Sequence, residues 1–173
     1  MNPRRRPKAE KEYAAYYAGY VDYVKGNNFL GTLKSSKQEV LSLYNGLEDL
    51  QWSYRYEPGK WTIKEVLIHI IDTERIFAYR ALRAARNDRT PMAGFDQNSY
   101  MAEMNGASRS KASVLAEYTA VRNSSIALYE GLPESSYARI GEASGFPVSA
   151  LGLGFMTAGH ELHHLKILKE RYL

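Results

Sequence analysis

Three of the four histidines in this 173-residue chain lie within its last fifteen residues. His160 and His164 are four positions apart, and a helix turns about 100° per residue, so their side chains project from successive turns of one helix face. That spacing suits two imidazoles that hold a single metal ion. The sequence has no cysteine, so a transition-metal site must use imidazole, carboxylate and water, ligands that zinc, nickel, cobalt and iron accept.

The third ligand has two possible sources. The letters from His160 to His164 spell H-E-x-x-H, the zinc-metalloprotease motif in which the glutamate, here Glu161, acts as general base. Those proteases take their third ligand from further downstream, but only nine residues follow His164 and none is a histidine. The protease is therefore the least favoured function. We predict that His69, the one histidine upstream, completes the site.

A helical wheel separates the three clustered histidines. His160 and His164 fall on one apolar stripe, whereas His163 leans toward the polar side that carries Lys166. The other members of the stripe are Leu153, Met156 and Ile167. Surface histidines, or neutral core histidines bonded to carbonyls, are the alternative, but a pair within an apolar stripe favours metal binding. We predict His69, His160 and His164 as the metal ligands.

Composition narrows the class of protein. The length suits one domain, and we predict a basic tail at residues 1–12 before a single domain at 13–173. The net charge is +4, but outside the tail basic and acidic residues are interleaved, so we predict a solvated tail and no nucleic-acid partner. Without cysteine, a hydrophobic signal segment or an apolar run of about 18 residues, we expect a cytoplasmic protein with no membrane partner.

Helix signals predict an all-α bundle. Asn27 and Asn28 cap a first long helix that ends near Gly46, and the Thr62–Glu65 capping box starts a second that runs to about residue 86. A third is predicted over about 110–131, and Ser149 opens a fourth. Tyrosines at three-and-four spacing predict an N-terminal arm packed on the bundle: Tyr13, Tyr16, Tyr17, Tyr20 and Tyr23.

The connections between these helices differ in length. Residues 87–106, between the second and third helices, read as a long irregular loop, and residues 137–148 suggest a short hairpin. We predict that Asp96 and Tyr100 of the long loop shape the open side of a metal between the second and fourth helices. Alternatively the loop only crosses the end of the bundle.

His69 lies at the edge of the second helix's apolar stripe. Glu65 and Asp72 are its neighbours on the wheel, and we predict that a carboxylate one turn away accepts the second imidazole N–H and fixes the metal-binding tautomer. The alternative is a plain exposed helix face on which Glu74, Arg75 and Arg80 make weak surface ion pairs.

Three segments together resemble the DinB/YfiT-like superfamily. They are KWTIKEVLIHIIDTER at residues 60–75, GFDQ at 94–97 and GHELHHL at 159–165. The resemblance spans about residues 13–173. It implies a DinB-like four-helix bundle, often a homodimer, with a divalent metal on three histidines. The positions that match the family's ligands are His69, His160 and His164.

The resemblance leaves the reaction open. Relatives include thiol-dependent transferases and proteins described only as metal-dependent hydrolases, so the expected function is a small-molecule enzyme whose metal activates a thiol cosubstrate or a water. Zinc or nickel is the expected metal, with a low-molecular-weight thiol as a further cofactor. The alternative function is a non-catalytic, metal-stabilised binding or stress-response module.

Overall fold

A computed structural model describes residues 5–104 and 106–173. Its secondary structure is mainly helical, with one two-stranded hairpin, and α7 continues into a π-helical turn at Leu168–Tyr172. The elements are α1 (Ala18–Tyr23), α2 (Phe29–Asn45), α3 (Asp49–Trp52), α4 (Ile63–Ala85), α5 (Gln97–Glu103), α6 (Lys111–Glu130), β1 (Ile140–Ala143), β2 (Phe146–Ser149) and α7 (Ala150–Ile167).

The four long helices α2, α4, α6 and α7 form the predicted bundle. α4 packs against both α6 and α7, and α2 packs against the same two helices from the other side. Each long helix begins at a polar cap whose side chain accepts a backbone N–H of the first turn, which satisfies a donor that the helix itself cannot. These caps are Asn28, Thr62, Ser110 and Ser149. The predicted helix starts are thus confirmed.

The N-terminal arm lies directly on α7. A Cβ built at Gly159 of α7 would stand 1.8 Å from the carbonyl oxygen of Tyr20 in α1. Only a glycine permits so close an approach of two helices. The prediction of a tyrosine-rich arm packed on the bundle is therefore confirmed.

Arg5 and Arg6 of the predicted solvated tail keep side-chain exposures of 43% and 35% but also bond to the fold. Arg5 pairs with the buried Glu12 at 2.6 Å, and Arg6 donates to the carbonyl oxygens of Val24 and Val21 at 2.6 and 2.8 Å. Arg5 neutralises a buried carboxylate, and Arg6 satisfies backbone oxygens near the end of α1. These contacts attach the segment to the fold. Residues 1–4 of the predicted tail lie outside the described residues.

The long connection after α4 is more regular than predicted. Asp96 accepts hydrogen bonds from the Asn98 N–H and the Ser99 hydroxyl, at 2.9 and 2.8 Å, and so caps the seven-residue helix α5. Further on, β1 and β2 pair antiparallel, with Ile140 opposite Ser149. Ser144 and Gly145 at their turn have φ of 55° and 80°, as the tightest hairpins require. The suggested hairpin is present.

Buried polar residues divide the core into two apolar clusters. Along α7 the first cluster ends at Ala158 and the second begins at Leu165. Between these clusters, each long helix contributes buried polar side chains to a layer across the bundle. The residues of this polar layer are Ser36 from α2, His69, Thr73 and Glu74 from α4, Arg122 and Ser125 from α6, and His160, Glu161 and His164 from α7. Among the described residues, no helix is long and apolar enough to cross a membrane.

Candidate metal centre

His69, His160 and His164 converge inside the polar layer. The Nε2 atom of His160 lies 3.0 Å from Nε2 of His69 and 3.1 Å from Nε2 of His164. The ligand atoms of all three lie within 4.8 Å of one another. The three side chains are almost entirely shielded from solvent, with relative exposures of 5–9%. Helix α4 therefore supplies one imidazole and α7 two, from successive turns.

This donor set fits a divalent metal. One ion bonded to three imidazole nitrogens at about 2.0–2.1 Å would hold them about 3.0 Å apart in an octahedral face and about 3.3 Å apart in a tetrahedral one. The Nε2 separations of His160 from His69 and from His164, 3.0 and 3.1 Å, lie at this spacing. Such a face uses three coordination positions and leaves at least one free for another ligand.

Burial keeps the three imidazoles in the neutral form that can bind a metal cation. Burial lowers the pKa of His69 to about 4. Burial, and then the nearby His69 and His163, lowers the pKa of His164 to about 3. For His160 the pKa falls well below its ordinary value, first through burial and then through its histidine neighbours. All three side chains can therefore offer a lone pair to a metal at neutral pH without first losing a proton.

His163 lies outside the centre, as the helical wheel predicted. It is half-buried, and its ring stands 5.2 Å from that of Tyr20 and 5.8 Å from that of Tyr23, both in the arm. Tyr20 also contacts His160, with ring centroids 5.3 Å apart. The arm thus covers one side of the histidine cluster.

A cavity reaches one of the three histidines. His164 borders a cavity of about 340 Å³, a volume at the lower end of small-molecule sites. Trp61, whose ring lies 4.8 Å from that of His69, forms part of its wall. The other residues that line the cavity are Tyr56, Gly59, Lys60, Val66, Asn98, Ile167 and Tyr172. A small molecule in this cavity would reach the histidines from the His164 side.

A model of the DinB superfamily matches residues 32–168 of the sequence. The chain belongs to the DinB superfamily. Among solved structures, YfiT from Bacillus subtilis is similar over 95% of this chain and 91% of its own, with a TM-score of 0.66 and 16% identity. YfiT is described as a probable metal-dependent hydrolase with an unusual four-helix bundle topology. A search of curated proteins found no match.

Beside the histidines of this DinB protein, one arginine connects all four bundle helices. Arg122 of α6 is fully buried. It makes three contacts with Glu74 of α4, the shortest 2.7 Å, and two of 2.7 Å with Glu161 of α7. It also donates to the Leu33 carbonyl oxygen and the Ser36 hydroxyl of α2, at 3.1 and 3.3 Å. We call Glu74, Arg122 and Glu161 the arginine cluster. It fixes α4 relative to α7, the two helices that carry the histidines.

The arginine cluster also argues against the metalloprotease. Both Glu161 carboxylate oxygens accept from Arg122 at 2.7 Å, and the Tyr118 hydroxyl donates to Oε2 at 2.8 Å. A general base needs a free oxygen within hydrogen-bond reach of its substrate proton. Glu161 is fully buried and committed to these bonds, so its role here is structural.

The described contacts of the other predicted site residues are with groups other than the three imidazoles. The Glu65 carboxylate accepts the Thr62 N–H at 2.7 Å as part of the capping box, and half-buried Asp72 lies 3.7 Å from Arg75. Asp96 is exposed and caps α5. On the same helix, Asn98 lines the His164 cavity, whereas Tyr100 lines a separate cavity beside Arg80.

Sequence reasoning missed the arginine cluster. The alternative of weak surface pairs on α4 is wrong for Glu74 and Arg80, which are 2% and 4% exposed. A signal was present in the sequence, because Arg122 stands four residues after Tyr118 and three before Ser125, and this helical spacing places all three side chains on one stripe of α6. A charged residue on such a stripe requires a buried partner.

Proposed function

We propose that this protein is a metal-dependent enzyme that acts on a small molecule, with His69, His160 and His164 as the metal ligands. The observation that carries the proposal is the convergence of three neutral, buried imidazoles beside an open cavity, with Nε2 of His160 3.0 Å from Nε2 of His69 and 3.1 Å from Nε2 of His164. A bound divalent metal would supply Lewis acidity, which lowers the pKa of a thiol or a water in its free coordination position.

The protein's own residues would shield the metal ligands from water and orient the substrate. Trp61 and the arm residue Tyr20 enclose the imidazoles from two sides and keep bulk water away from them. Lys60 and Asn98 at the His164 cavity offer a cation and an amide that would orient polar groups of a substrate. A cavity with few polar groups in a wall of aromatic and aliphatic side chains is typical of small-molecule sites.

Two reactions are consistent with this arrangement. Activated water gives a hydrolase, which accords with the description of YfiT, and an activated thiol gives a transferase that joins the sulfur to an electrophile. A carboxylate base is required for neither, because the metal itself makes the nucleophile available at neutral pH. The low-molecular-weight thiol and the homodimer follow only from the family resemblance, and the cytoplasmic location only from the composition of the sequence; all three stay predictions.

The test is turnover by protein that has been stripped of metal and reloaded with zinc or with nickel. Hydrolysis of p-nitrophenyl acetate reports a water nucleophile, and conjugation of 1-chloro-2,4-dinitrobenzene to small thiols reports a thiol nucleophile. We expect activity in one assay that needs metal, is lost in His160→Ala and is kept in His163→Ala. Equal activity with and without metal would overturn the proposal, and metal binding without turnover in a broad screen would favour the binding module.

A further inference from the structure

Arg80 is a buried arginine that has no acidic partner among the described residues. It and Arg122 are the two buried arginines among the described residues, with exposures of 4% and 0%. Arg122 has two carboxylates, whereas in the described part of the chain Arg80 forms no ion pair and donates only to the Ala93 carbonyl oxygen and the Ser144 hydroxyl, at 2.7 and 3.3 Å. A charge held away from water without a counterion is costly, so its retention calls for an explanation.

The described hydrogen bonds of Arg80 use few of the N–H donors of its guanidinium. Both described bonds use Nη2, and a guanidinium also carries one Nε–H and two Nη1–H donors, which match the two oxygens of a planar anion. The guanidinium borders a cavity of about 340 Å³ that Ile76, Tyr79, Phe95 and Tyr100 also line. Phe95 lies under it, with the ring centroid 5.7 Å from Cζ.

The charge around this cavity favours a single negative group. Arg83, one turn along α4, also lines it but is neutralised by Asp88 at 2.7 Å. Burial lowers the pKa of Arg80, and the titratable groups that oppose this effect are the tyrosines Tyr17, Tyr16 and Tyr100 rather than carboxylates. One uncompensated cation matches the single charge of a carboxylate better than a phosphate, which carries about −1.5 to −2.

We propose that the cavity at Arg80 binds the carboxylate of a small organic acid, with the acid's hydrocarbon part against Phe95 and Tyr100. Arg80 lies eleven residues beyond His69 on the same face of α4, which is about 16 Å along the axis. The anion site is therefore separate from the histidines, and its occupation does not depend on a metal.

The experiment uses metal-free full-length protein and fluorine NMR with 4-fluorobenzoate as the probe. Wild type is expected to broaden and shift the fluorobenzoate signal in a saturable manner, while the neutral 4-fluorobenzamide is unaffected. Arg80→Met should weaken the affinity at least about tenfold, because the ligand's charge then lacks a partner. Arg83→Met, which removes the neighbouring and already neutralised arginine, should retain it.

Two further variants test the assignment of this site. Arg80→Lys retains the charge and should bind measurably, which separates loss of binding in Arg80→Met from loss of the fold; His69→Ala should bind as wild type does. No saturable binding to wild type, full binding to a folded Arg80→Met protein, or tighter binding of inorganic phosphate in competition would each overturn the assignment.

Discussion

At the scale of single residues, the histidines are useful because burial keeps them uncharged. A free histidine has a pKa near 6.5, whereas His69 in the fold has a pKa of about 4 and His164 of about 3. Between these values the unfolded chain binds protons that the folded protein does not, so the free energy of unfolding falls as the pH falls. The burial that keeps these histidines neutral for metal binding therefore makes the metal-free protein less stable in acid.

We predict that metal-free protein loses stability between pH 7 and pH 5, with roughly 2 kcal/mol of the loss from His69 alone. Urea unfolding at the two pH values measures it. The variant His69→Gln, which cannot titrate, should show a smaller difference between the two pH values. Equal pH dependence in the variant and the wild type would contradict the lowered pKa.

At the scale of the helices, the arginine cluster is the strongest polar contact between α4, α6 and α7. Arg122→Met would leave Glu74 and Glu161 buried without a cation. Removal of one partner from a buried ion pair costs about 3–5 kcal/mol. We expect a loss of this size in the free energy of unfolding by urea.

Arg75→Met is the matched control for Arg122→Met. Arg75 pairs with Glu117 on the same two helices, α4 and α6, but its side chain is 49% exposed. Surface pairs contribute about 0–1 kcal/mol, so the control should unfold nearly as wild type does. Similar losses from the two variants would show that the arginine cluster has no special role.

The contact between α1 and α7 gives a second prediction at this scale. Gly159→Ala would place a methyl group 1.8 Å from the Tyr20 carbonyl oxygen, which forces the arm away from α7 and costs roughly 1–3 kcal/mol or more. Limited proteolysis within residues 13–24 and urea unfolding detect this loss. Gly19→Ala, at a helical glycine of α1 with no atom within 4 Å of the added Cβ, should leave the protein as stable as before or slightly more stable.

The sequence predicts features that depend on residues close together in the chain better than contacts between distant residues. Capping residues such as Asn28 and Ser149 act within one turn, so the helix starts could be read directly. Helix α5 was missed because it has only seven residues and follows Pro91 and Gly94, which break the periodicity. Partners such as Arg122 and Glu161 are 39 residues apart, and spacing along one helix does not identify a partner on another.

At the scale of the whole molecule, metal binding and folding should be coupled, because α4 and α7 bring the ligands together only in the folded state. At a free zinc concentration one hundred times Kd, the free energy of unfolding should rise by about 2.7 kcal/mol, or roughly 5–10 °C in Tm. A thermal scan with and without zinc measures the shift. His160→Ala should show little shift, and a shift as large as that of wild type would mean that zinc binds elsewhere.

We propose that His69 of α4 and His160 and His164 of α7 hold one metal ion. The most direct test is elemental analysis of protein purified without a histidine tag, and again after exposure to zinc or nickel, beside the variants His69→Ala and His163→Ala. We predict one metal per chain in the wild type and in His163→Ala, and none in His69→Ala. Wild-type protein that takes up neither metal, or a His69→Ala protein that retains a full equivalent, would contradict the account.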